Sequence, residues 1–197
     1  MLQENNFSIE DANELIRGIE PAQPPYLLLL TGSSGCGKTY LSRELEKRLD
    51  PKGTMVFYFD SIGVPSTEEM VSRYGSGEKW QEAMTVEWVR RISAQRDKVL
   101  VILEGQYHPK FAIDACRKHG IKNYRIAVVT CAEKVWTERL KGPRDQPHLI
   151  TEDMRNWAKL LLEETVRLGG SVIDTSESDL NANLKDVSIL IRSLMGK

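Results

Sequence analysis

The 197-residue chain has almost no net charge. Its 27 lysines and arginines offset 28 aspartates and glutamates, leaving −1 with neutral histidines. A globally basic nucleic-acid binder is not indicated, although a local basic patch is compatible with that balance. Cysteine is scarce: Cys36, Cys116 and Cys131 have no metal-ligand spacing, and an odd number makes a poor disulfide framework. That usage favours a reducing cytosol, so a cytoplasmic protein is expected. Long apolar runs are missing as well. The longest, Tyr26 to Leu30, is far too short to cross a bilayer. The opening MLQENNFSIED is too polar and acidic to read as a signal peptide. The histidines, His108, His119 and His148, form no cluster, and none is assigned a catalytic role.

What is present suits one α/β domain. Hydrophobic residues make up 41% of the chain, enough for one sizeable core. Residues 8–18 carry Ile9, Ala12, Leu15 or Ile16, and Ile19 at helical spacing, and Pro21 to Pro25 breaks that segment from the rest. An N-terminal helix and linker over 1–25 is therefore expected, followed by a single domain over 26–197. Tyr26 to Leu30 reads as a strand buried on both faces. Leu41, Leu45 and Leu49 make the single stripe of a helix lying on a sheet. Further strands are expected at Met55–Phe59, Val99–Leu103, Arg125–Thr130 and Ser171–Ile173. Helices are expected over 79–96, 111–118, 133–140 and 151–168, with a last one striped from Leu180 to Leu194. Strands alternating with helices imply a parallel sheet. Trp80 and Trp88 read as core. The stretch from Asp60 to about Glu78 reads as a long connection, the kind that is usually functional or disordered.

Between the first strand and its helix lies Gly32-Ser33-Ser34-Gly35-Cys36-Gly37-Lys38-Thr39, which fits G-x-x-x-x-G-K-[ST]. Glycines allow a tight turn whose N–H groups converge on phosphate oxygens, and the helix N-terminus adds positive potential. Lys38 can reach the β- and γ-phosphates, and Thr39 can offer its hydroxyl to Mg²⁺. Tyr40 follows directly and joins the expected nucleotide-binding set. Cys36 reads as a small filler rather than a redox thiol.

With these motifs the chain resembles the P-loop kinases of small molecules and nucleotides, such as adenylate, gluconate, shikimate and adenylylsulfate kinases. The resemblance spans roughly residues 26–175. It implies a three-layer α/β/α fold with a five-stranded sheet in the order 2-3-1-4-5, ATP with Mg²⁺, and transfer of the γ-phosphoryl group to a small-molecule or nucleotide acceptor. It also implies particular residues. Glu104, closing an apolar run where such kinases usually carry Asp, would support Mg²⁺ directly or through water. Asp60, at the end of the second strand, would position the acceptor hydroxyl and take its proton. The stretch behind it would build the acceptor pocket, which brings in Arg73 and Tyr74. A short basic lid near 141–150 would place Arg139 near the base or phosphates and Arg144 on the transferring group, with Arg155 a further candidate. Asp60 to Gly63 also fits the D-x-x-G of GTPases, but no N-K-x-D follows. Two rival readings are a kinase of nucleic-acid ends, which would need a basic groove, and a non-catalytic or regulatory NTP-binding ATPase module.

Overall fold

The computed structural model describes residues 7–142, 144–177 and 179–196. Five strands form one parallel sheet: β1 (Tyr26–Thr31), β2 (Thr54–Tyr58), β3 (Leu100–Gly105), β4 (Tyr124–Thr130) and β5 (Ser171–Asp174). Their order is β2-β3-β1-β4-β5, as the kinase resemblance implied. β1 is the central strand, and the period of two along it divides the core. Leu28 and Leu30 enter one buried cluster while Leu27 and Leu29 enter the other, all four at 0% exposure. Burying each such leucine contributes about 1.5–3 kcal/mol.

Helices cover both faces. The Leu28/Leu30 side packs against α1 (Ile9–Arg17), α2 (Lys38–Arg48) and, beyond β5, α8 (Leu180–Leu194), through Ile16, Leu41, Leu45 and Leu184. The other side receives α4 (Gly77–Ser93) and α5 (Pro109–Lys118) through Trp88, Val89, Ile92 and Ala112. Here α3 is Thr67–Tyr74, α6 is Glu133–Lys141 and α7 is Glu152–Arg167. Trp80 and Trp88 are core residues, at 7% and 4% exposure. α1 is started by a reciprocal Ser8/Asp11 capping box. Asn13 then ties it to the end of α2, donating to the Arg48 carbonyl and accepting from the Asp50 N–H, each at 2.8 Å.

Two expectations change. The connection after Asp60 is not structureless: a 3-10 turn spans Phe59–Ile62 and α3 follows. A Ser66/Glu69 capping box starts α3 and Gly75, in the left-handed region, ends it. β3 also continues through Gly105, so Glu104 lies inside the strand and not just past its end.

Candidate functional site

β1 and β3 run in register, Leu30 opposite Glu104 and Thr31 opposite Gly105, so the phosphate loop emerges beside Glu104. The helix that leaves β1 leads toward β2, whereas the chain leaving β3 continues to β4 across the sheet. Open α/β sheets bind ligands where such connections diverge at the carboxyl edge.

Gly32 is required by a close approach, because a Cβ there would stand 2.4 Å from the Val129 carbonyl oxygen. Gly37, at φ 94°, caps α2 without a side chain, and the first turn of α2 has no acidic residue. The orphan N–H groups of that first turn therefore meet no capping carboxylate or hydroxyl, as an anion cradle requires. Two of the loop's carbonyls are held from outside. The Thr175 hydroxyl donates to the Cys36 carbonyl at 2.7 Å, and the Trp136 indole to that of Ser34 at 2.7 Å. Arg139 donates to the Thr175 hydroxyl at 2.8 Å, the Thr175 carbonyl at 2.7 Å and the Cys36 carbonyl at 3.4 Å. At the loop's apex, Gln106 accepts from the Ser34 N–H at 3.2 Å, donates to its hydroxyl at 3.0 Å, and accepts from the Trp157 indole at 3.2 Å.

Lys38 and Glu104 are both buried, at 6% and 5% exposure. The ammonium lies 3.7 Å from a Glu104 oxygen and 3.4 Å from the Ser33 carbonyl, and the Thr39 hydroxyl donates to the same Glu104 oxygen at 3.1 Å. Burial pushes the Glu104 carboxyl above the usual carboxylate range. Lys38 and the Thr39 hydroxyl pull it back, and the nearby charge of Asp60 pushes it further up. Burial likewise raises the Cys36 thiol, against the opposing charge of Lys38, so it remains an uncharged filler.

Lys38, Thr39 and Glu104 thus stand together. Asp60 sits on the turn after β2, exposed and within electrostatic reach of Glu104. Tyr40, Arg139 and Arg144 line one cavity of about 420 Å³ beside Gly35 and Gly37. Arg144 is exposed and bonded to Gln146 at 3.0 Å. Arg155 is instead held by Glu133 at 2.7 Å, with its guanidinium 5.6 Å from the Trp136 ring centre. Arg73 lies over the ring of its neighbour Tyr74. Thr175, Trp136, Trp157 and Gln106 carry no signal of a role in the sequence. None belongs to a spaced motif, and each acquires its place through contacts 25 to 139 residues apart. The described part of the 141–150 stretch holds a 3-10 turn over Pro147–Leu149, and Pro143 lies outside the described residues.

A parallel sheet in this order, with a glycine loop, a buried lysine and a carboxylate at its carboxyl edge, defines a P-loop nucleotide-binding domain. The family model described as an AAA domain matches residues 28–158, and the chain belongs to that family. No curated protein matches the sequence. Solved structures share the fold at low identity. Shikimate kinase from Acinetobacter baumannii, in complex with shikimate, is 15% identical, covering 87% of this chain and 95% of that one at a TM-score of 0.55. Thymidylate kinase from Candida albicans is 13% identical, covering 88% and 94% at 0.59. A gluconokinase from Sinorhizobium meliloti 1021 is 14% identical, covering 87% and 98% at 0.58. The likeness to these kinases is one of fold.

Proposed function

We propose that this protein is a Mg²⁺-dependent phosphotransferase that moves the γ-phosphoryl group of ATP to a small-molecule or nucleotide acceptor. The observation that supports this most is the convergence of Lys38, Thr39 and Glu104 beside a loop in which the Ser34 and Cys36 carbonyls are tied outward. Loose phosphoryl transfer needs positioning and charge stabilisation more than covalent chemistry. Lys38 places its charge where the β- and γ-phosphates would lie, and the amides at the start of α2 hold the remaining oxygens. Arg139 and Arg144 line the adjoining cavity, on the side where the nucleotide would extend, and the stretch near 141–150 would close as a short lid. Asp60 lies on the opposite side, where an acceptor hydroxyl would approach. It positions that hydroxyl and accepts its proton.

Among the described residues no group of three or more His, Cys, Asp or Glu stands together as a metal site. Mg²⁺ fits nonetheless, because it commonly takes one or two protein oxygens and fills its shell with water and phosphate. The Thr39 hydroxyl and Glu104 would hold it, and bound there it would neutralise charge on the phosphates.

The test is a screen of nucleoside triphosphates and acceptors coupled to ADP release, with Lys38→Ala as control. The variant should keep its fold and lose most triphosphate affinity or turnover. Unchanged binding and turnover in Lys38→Ala would refute the phosphate-site assignment. The AAA-domain match also supports a second reading, a regulatory NTP-binding module. ATP binding with no acceptor found in a broad screen would favour it.

A further inference from the structure

The cavity beside Gly35 and Gly37 contains a buried polar side chain that the loop does not use. Asn183, on α8, is 8% exposed and lines the cavity wall. Its backbone N–H is committed to the Asp179 carbonyl at 3.1 Å, but its carboxamide has no hydrogen-bond partner among the described residues. Among the described residues, the buried side-chain atoms sealed from both solvent and partners are Ser42 Oγ, Thr54 Oγ1, His119 Nε2 and Thr165 Oγ1. The Asn183 carboxamide is not one of them, so the side chain that lines the cavity keeps access to solvent. The cavity's other polar groups are committed or exposed. Thr175 and Arg139 bond each other and the Cys36 carbonyl, Arg144 bonds Gln146, and Tyr40 is 61% exposed. Leu41 and Leu180 add apolar surface suited to a flat ring.

We infer that Asn183 is the base-reading residue of the nucleotide site and that it selects adenine, by donating to N7 and accepting from the N6 amino group. The inference rests on the nucleotide-binding reading above. A carboxamide presents one donor and one acceptor side by side, which matches the N6/N7 edge of adenine. Guanine shows two acceptors, N7 and O6, on that edge, so one of the two bonds is lost and a lone pair opposes the carboxamide oxygen. Discrimination by such a bidentate pair is on the order of 10- to 100-fold in affinity.

Calorimetric titration of the full chain with ADP, GDP, 7-deaza-ADP and inorganic tripolyphosphate tests this. Wild type should bind ADP about 10- to 100-fold more tightly than GDP and should bind 7-deaza-ADP more weakly than ADP. Asn183→Leu should erase both preferences while leaving tripolyphosphate affinity unchanged. Asn183→Asp, which keeps the acceptor but loses the donor, should lose the N7 preference alone. The 7-deaza comparison needs no substitution, so it decides even where a variant folds poorly. Equal affinity for ADP and GDP, or for ADP and 7-deaza-ADP, overturns the Asn183 assignment and leaves the phosphate site standing. Failure of wild type to bind either ADP or tripolyphosphate overturns the nucleotide reading and this inference with it.

Discussion

Burial places opposing demands on the Glu104 carboxyl: desolvation favours its proton, while Lys38 and Thr39 favour its charge. Protonated Glu104 cannot support Mg²⁺. The Mg²⁺ concentration needed for half-maximal activity should therefore climb on acidification, beginning above the pH at which an ordinary carboxylate titrates. Because the folded pKa lies above the unfolded one, the folded protein binds the extra proton between them. This group's contribution to the stability of the nucleotide-free protein therefore declines as pH rises through that window. Glu104→Gln should raise the Mg²⁺ requirement and flatten its pH dependence. A metal dependence identical to wild type would return Glu104 to a structural role. Asp60→Asn should lower turnover about 10²–10⁴-fold if proton transfer matters, with ATP affinity held. Turnover and affinity measured on one preparation with an identified acceptor check this, and equal turnover in both proteins ends the case for Asp60. Lys38, Thr39 and Glu104 were legible because a spaced motif and an apolar run ending in an acid announce them. Asn183 was not, because a lone asparagine in a helical stripe carries no signal until the cavity beside it is seen.

Among the elements, the phosphate loop depends on neighbours distant in sequence. Thr175 follows β5 by one residue, yet its hydroxyl fixes the carbonyl of Cys36, and Arg139 on α6 braces both. Thr175→Val keeps the shape and removes the donor. It should weaken nucleotide binding and cost about 1–3 kcal/mol of stability, the penalty of a poorly satisfied buried polar group. Thr175→Ser should restore both, read by titration and by denaturant unfolding, and failure of the serine to rescue would assign the loss to packing. Strand and helix positions were readable because β1 is apolar on both faces and the helices carry single stripes. α3 escaped because it is short and has no buried residue, so no stripe marks it. Its Ser66/Glu69 capping box and the Gly75 stop were nevertheless present in the sequence.

For the whole molecule, a ligand that binds only the folded state adds RT ln(1 + [L]/Kd) to stability, about 2.7 kcal/mol at one hundred times Kd. For a chain of this size that corresponds to roughly 5–10 °C in melting temperature. Saturating Mg-ATP should produce such a rise in wild type and little in Lys38→Ala, measured by thermal unfolding. An equal rise in both would point to binding elsewhere. The alternation along β1 bears on how such a molecule can change over generations. The cavity beside Gly37 hangs on α2 and α8, whose core is shared through Leu28 and Leu30. The α4 and α5 side is seated on Leu27 and Leu29. Because one strand keeps these two sets on opposite faces, repacking beneath α4 leaves the seat of α2 and α8 untouched. Descendants of this chain are free to vary the α4 and α5 side while inheriting the same seat for the phosphate loop.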